Sequence, residues 1–185
     1  MTDFSRRAFG ALAAGTLVVA GGAGAFAQDL ENTLYLDLSY GRVVIQLRPD
    51  VAPKTVARIK ELARQGFYDG TPFHRVIPNF MAQGGDPTGT GTGGSGRRLE
   101  AEFSAVKHVR GTVSMARSSD VNSADSQFFI CFAPAPHLDG QYTAFGQVIE
   151  GMEFVDRIKK GDPGSGIVSA PQDRIVKMQV AADAQ

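Results

Sequence analysis

The chain predicts a mainly β fold, a single closed or nearly closed antiparallel barrel with two helices capping its ends. Three observations carry that expectation. About eight short apolar runs follow one another, each bounded by turn residues. The 22 glycines in 185 residues supply the many turns such a fold needs. Just two stretches carry apolar residues at helical spacing. Short strands in this number, with so few helices, close most simply into one barrel.

The elements follow in order. Thr33 to Leu38 sets Leu34, Leu36 and Leu38 on alternate positions, the mark of a half-buried strand. Ser39-Tyr40-Gly41 reads as a turn, and Arg42 to Leu47 as the second arm of a hairpin. Pro53 suits a helix start, Val56, Ile59, Leu62 and Ala63 recur at helical spacing, and Gly66 stops the run. Phe73 to Gln83 reads as strands and Gly84 to Gly96 as a glycine-rich loop. Thr112 to Met115 and Gln127 to Phe132 read as buried strands, Asp139-Gly140 as a turn, and Thr143 to Ile149 as a strand. Met152 to Lys160 is a short amphipathic helix ending at Gly161. Arg174 to Ala181, with Ile175 and Lys177 alternating against Val176 and Met178, is the last strand.

Residues 1–27 stand apart from this pattern. Ser5-Arg6-Arg7-Ala8-Phe9 is a twin-arginine pattern, an apolar and glycine-interrupted stretch runs from Ala11 to about Ala25, and Ala25-Phe26-Ala27 offers small residues for cleavage. That order is an export signal, with the arginine pair pointing to the twin-arginine route. The apolar stretch is too short and glycine-rich for a good transmembrane helix. The expected layout is a signal peptide over 1–27 and one domain over 28–185, periplasmic or secreted, with no stable membrane association after cleavage. An uncleaved anchor or a chance Arg-Arg pair is the rival reading.

Composition narrows the function. With 19 basic and 19 acidic residues the net charge is zero, so neither nucleic acid nor an acidic membrane is a default partner. The lone Cys131 excludes an internal disulfide and reads as a buried small hydrophobe. His74, His108 and His137 are too dispersed to argue for a metal, and no nucleophile elbow supports a Ser/His/Asp hydrolase. Gly89 to Gly94 formally fits G-x-G-x-x-G but lacks the strand and helix that a dinucleotide site needs. No cofactor and no metal is expected, and a monomer is the default.

The most informative run is Phe73-His74-Arg75-Val76-Ile77-Pro78-Asn79-Phe80-Met81-Ala82-Gln83-Gly84-Gly85-Asp86. It places one arginine and one glutamine among large apolar residues and ends in a Gly-Gly turn. A shallow apolar pocket with a fixed guanidinium can hold a proline ring and polarise the amide beside it, with no nucleophile. The eight-residue spacing of Arg75 and Gln83 puts them on one face of a regular strand, and Pro78-Asn79 is where that register can break. Phe128 and Phe129 must point to opposite faces, one to the core and one to the groove.

With those residues on the page, the chain resembles the cyclophilins, a class of peptidyl-prolyl cis-trans isomerases. Ala52 to Val56, Phe73 to Asp86, Gly91 to Gly94, Ser114-Met115-Ala116, Ser126 to Ile130, Leu138-Asp139-Gly140 and Phe145 to Val148 fall in the family's order, nearly the length of the mature chain. The resemblance implies an eight-stranded antiparallel cyclophilin-like barrel capped by two α-helices. It implies that Arg75 is catalytic and that Gln83 orients it. Phe80, Met81, Phe129 and Leu138 would line the proline pocket with Ile77, His137 and Tyr142 at its margins. Ala116 and Arg117 would pair with bound peptide through backbone, and Gln127 would flank the groove.

The implied partners are proline-containing peptides and unfolded proteins, and the implied role is assisting the folding of exported proteins. Departures from the commonest pattern are His137, where tryptophan often contributes to cyclosporin binding, Tyr142, where histidine often closes the pocket, and Arg117 for asparagine. They imply weak cyclosporin binding with catalysis retained. Arg97-Arg98, near the implied groove entrance, would favour acidic residues before proline. A non-catalytic proline-peptide binding or holdase module on the same fold is the alternative function.

Overall fold

The computed structural model describes residues 29–184; the predicted signal over 1–27 lies outside the described residues. Eight strands form one antiparallel sheet: β1 (Thr33–Leu38), β2 (Gly41–Leu47), β3 (Arg75–Ile77), β4 (Met81–Gly84), β5 (Thr112–Met115), β6 (Phe128–Cys131), β7 (Ala144–Glu150) and β8 (Ile175–Val180). Their spatial order is β3-β4-β6-β5-β7-β2-β1-β8. The two edge strands do not pair directly. The chain beside them closes the barrel, with Pro72 bridged to Arg174, Arg75 bridged to Ile167, and Phe73 N donating to Asp173 O at 2.9 Å.

Pattern and register agree where strands are local. In the β1–β2 hairpin Leu34 faces Ile45 and Leu36 faces Val43, all buried, so one face of each strand enters the core. Helix α1 (Pro53–Arg64) buries Val56, Ile59, Leu62 and Ala63 as the spacing predicts and adds Thr55 and Arg58. Its N-cap Ala52 has no capping side chain. Glu102, far along the chain, accepts from Lys54 N at 2.9 Å and Thr55 N at 2.8 Å instead, satisfying two of the orphan donors every helix start exposes. Gly66 follows the helix at φ +66°, a conformation L side chains resist.

Two elements differ from expectation, each for a long-range reason. Helix α2 (Met152–Asp156) is shorter than the 152–160 run. The chain tightens through Arg157 N→Phe154 O and Ile158 N→Val155 O bonds, and Asp173 then draws Lys159 N away at 2.7 Å. In β8 the register to β1 slips between Asp37 and Leu38. Val176 and Lys177 are both exposed while Ile175, Met178 and Val180 are buried, so a bulge replaces the expected alternation. Between β3 and β4 the chain breaks where the sequence marked a possible loss of register. It turns at Pro78-Asn79-Phe80, with Asn79 at φ +59°.

Most apolar side chains fill one main core, built from β1, β2, both helices and the inward residues of the remaining strands. Met81, Phe129, Cys131, Ala135 and Leu138 form a second, smaller cluster. The strands β4 and β6 serve both: Ala82, Phe128 and Ile130 point into the main core, Met81, Phe129 and Cys131 into the other. This is the period-two alternation of a strand with apolar contacts on both faces.

Candidate active site

The small cluster is the floor of a cavity of about 260 Å³. Arg75, Phe80, Met81, Gln83, Ala116, Arg117, Phe129, His137, Leu138 and Tyr142 line it, ten of the twelve residues singled out from the sequence. Gln127 lines a neighbouring cavity of about 600 Å³ that shares Gln83, Ala116 and Arg117 with the first. Ile77 is outside the lining and packs against the cluster from the side.

Arg75 and Gln83 are brought together by the hairpin turn rather than by a continuous strand. They face each other directly across β3 and β4. Arg75 Nη1 donates to Gln83 Oε1 over 3.4 Å, and Arg75 Nε donates to Ser165 O at 3.2 Å. Gln83 Nε2 donates to Gln127 Oε1 at 2.9 Å, and Gln127 Nε2 reaches Gly91 O and Gly93 O at 3.0 and 2.8 Å. The guanidinium is thus held on two sides while part of its donor fork faces the cavity.

That relay ends in the glycine-rich loop, whose geometry depends on Asp86. This fully buried carboxylate accepts from Thr88 N, Thr88 Oγ1, Gly91 N and Gly93 N at 2.7–3.1 Å. Burial pushes its pKa upward, but the hydrogen bonds prevail and hold it at about 2. Gly93 has no room for a side chain, since a Cβ there would lie 2.1 Å from Asp86 Oδ1. The glycines of this loop fold it around a carboxylate.

The far wall is aromatic. Phe129 meets Tyr142 edge-on with centroids 6.0 Å apart, and the Arg117 guanidinium stacks 4.5 Å over Tyr142. Arg117 also donates to Gln141 O and Ser118 O, so its charge is tied to the rim. His137, in the turn Pro136–Leu138, lies 5.3 Å from the Phe80 ring. Arg98 lines both the larger cavity and a depression beside α1, whereas Arg97 lines the depression alone and contacts Glu61.

The sequence reading missed a buried polar cluster behind Phe129. His108 Nδ1 lies 3.1 Å from Asp139 Oδ1 and its Nε2 3.0 Å from Ser114 Oγ. This is the order of a hydrolase triad. Ser114 has no exposed surface, so its hydroxyl cannot reach an acyl group. Asp139 was legible as part of an Asp-Gly turn and of the Leu138-Asp139-Gly140 motif, with no signal tying it to His108. Among the described residues no group of His, Cys, Asp and Glu could hold a metal.

Comparison with known proteins shows the family. Residues 33–180 match the family model of the cyclophilin type peptidyl-prolyl cis-trans isomerases, and the chain belongs to that family. A probable peptidyl-prolyl cis-trans isomerase of Brucella suis is 50% identical, covering 98% of both chains. Peptidyl-prolyl cis-trans isomerase B of Bacillus subtilis is 46% identical over 65% of this chain and 85% of its own. A Cryptosporidium parvum cyclophilin, crystallised in the presence of the dipeptide Ala-Pro, superposes with a TM-score of 0.73 at 33% identity, covering 80% of this chain and 98% of that one.

Proposed function

We propose that the chain is a peptidyl-prolyl cis-trans isomerase whose proline pocket is the cavity floored by Met81, Phe129 and Leu138, with Arg75 as its catalytic residue. The observation that carries this is the cross-strand pair of Arg75 and Gln83 at the edge of that cavity. Amide resonance sets a rotation barrier of about 18–20 kcal/mol, while the two X–Pro isomers are nearly equal in energy. The catalyst must therefore favour the twisted state over both planar ones. Rotation localises a lone pair on the prolyl nitrogen. A guanidinium already oriented toward it stabilises that state without favouring either product. Arginine suits the role because it stays charged and presents a rigid donor fork. The apolar floor holds the pyrrolidine ring while the rest of the peptide turns.

A protease-free measurement of cis-trans exchange in a short Ala-Pro peptide tests the reading. The wild type should accelerate exchange, and Arg75→Ala should lose about 10²–10³ of that acceleration, the scale for removing one preorganised donor. Equal rates for the two proteins would refute the role of Arg75. Peptide binding without acceleration by the wild type would establish the binding or holdase module instead.

The place of action is part of the proposal. Arg6-Arg7 and the apolar stretch after it support export to the periplasm or beyond, where unfolded exported proteins would be the clients. Replacing both arginines with lysine should leave the protein in the cytoplasmic fraction; undiminished export would exclude the twin-arginine route.

A further inference from the structure

The proline pocket has two walls of separate origin. Phe129 comes from β6, in the sheet. Leu138, His137 and Tyr142 come from the segment 135–142 that leads into β7. A loop wall of this kind needs something to hold it at a fixed distance from the sheet wall, because its own regular structure is a single three-residue turn.

Three hydrogen bonds attach that segment to His108. Asp139 Oδ1 accepts from His108 N at 2.8 Å and lies 3.1 Å from Nδ1, and Ala135 N donates to His108 O at 2.8 Å. The imidazole of His108 then stacks on the Phe129 ring, with centroids 6.2 Å apart and planes 19° from parallel. Its remaining nitrogen is 3.0 Å from Ser114 Oγ, and Ser114 is the residue directly opposite Phe129 in the β5–β6 register. A single buried ring therefore touches both walls and both strands.

We infer that His108 and Asp139 are positioning residues for proline binding, locking the loop wall that bears Leu138 to the sheet wall that bears Phe129. The carboxylate takes the Nδ1 hydrogen, so Nε2 accepts from the Ser114 hydroxyl, and one tautomer and one ring plane are selected. Burial lowers the imidazole's proton affinity despite the nearby carboxylate, so the ring stacks on Phe129 as a neutral plate. The cluster has the connectivity of an acyl-transfer triad, but with Ser114 fully buried its output is orientation.

This rests on the cavity being the proline pocket, and it predicts a distinct kinetic signature. Phe129 and Leu138 touch the pyrrolidine ring equally in the planar and twisted states. Loosening them removes uniform binding, which raises KM and leaves kcat in place. Arg75 acts in the twisted state, so its loss appears in kcat.

The test uses the mature chain with Asp139→Asn and Ser114→Ala, each beside the wild type and Arg75→Ala. Measured quantities are kcat and KM for an Ala-Pro peptide without protease, the Kd of the same peptide, the ¹³C-labelled phenylalanine ring signals, and the unfolding midpoint. KM and Kd should rise about tenfold in both variants with kcat within about twofold, and the Phe129 ring signal should broaden or shift. Folded variants with wild-type KM and Kd, or with reduced kcat at unchanged KM, overturn the inference. If Asp139→Asn fails to fold, Ser114→Ala, which removes a single hydroxyl, decides alone. If the wild type does not isomerise, or Arg75→Ala equals it, the catalytic reading falls while the peptide Kd still judges the positioning.

Discussion

Phe128 and Phe129 are neighbours on one strand and belong to different worlds. Phe128 enters the main core, where Tyr68 meets it edge-on. Phe129 enters the small cluster, between His108 on one side and Tyr142 on the other. The main core is closed by the sheet and both helices. The small cluster is open on one side, and that opening is the cavity. Apolar burial of the same kind supports stability in the first region and ligand binding in the second. The difference lies in whether the last face is covered by the protein or left for a substrate.

The sharpest way to break this comparison is to truncate each ring in turn. Phe128→Ala should cost about 3–5 kcal/mol, the range for deleting a large buried ring, read as a fall in the urea midpoint, with KM of the folded fraction near wild type. Phe129→Ala should destabilise less and raise KM more. The reverse pattern would mean that the two clusters are one energetic unit.

The acid behaviour of the loop beside the cavity gives a second, smaller effect. Asp86 has a folded pKa of about 2, below the ordinary value of about 3.9. A depressed carboxylate contributes stability that is complete above its unfolded pKa and is lost as pH falls through the folded one. Roughly 2 kcal/mol should therefore disappear between about pH 4 and pH 2, seen in denaturant titrations across that window. In Asp86→Asn that part of the slope should vanish. A wild-type slope retained in the variant would place the acid sensitivity elsewhere.

Cys131 sharpens the comparison at the least energetic cost. It lies fully buried in the small cluster, and burial pushes its thiol up to about 12. The folded protein should react negligibly with a thiol reagent at neutral pH and stoichiometrically once unfolded. Rapid labelling of the folded chain would show that the cluster opens as a unit. At the rim, His137→Trp should tighten cyclosporin binding, in a direct titration, if the tryptophan common elsewhere in the family is what His137 lacks.

Much of the fold was legible because its cues are local. Leu34, Leu36 and Leu38 announce a strand face, Pro53 and Gly66 bracket a helix, and Phe128-Phe129 must split across a sheet. The site was legible through several ordered motifs, of which the run around Arg75 supplies Arg75, Phe80, Met81 and Gln83, and ten of the predicted residues line one cavity. What stayed hidden depends on partners distant in sequence. Glu102 caps α1 across 47 and 48 residues. Asp173 ends the α2 turn early. The bulge in β8 answers to β1. His108, Ser114 and Asp139 carry no local pattern that would bring them together.

The even spacing of Arg75 and Gln83 shows the boundary most clearly. Periodicity placed them on one face of a regular strand and marked Pro78-Asn79 as the place where that register can break, and the chain does break there. The turn at Asn79 folds the run back so that the two oppose each other across a hairpin. By itself the sequence determined which side chains leave each strand on which side, because alternation is a property of the extended backbone. Only the tertiary structure decided which of those sides is sealed as core, which stays open as a pocket, and which buried ring joins the pocket's two walls. Those outcomes are set by strand register and long-range hydrogen bonds, and neither is written in a local period.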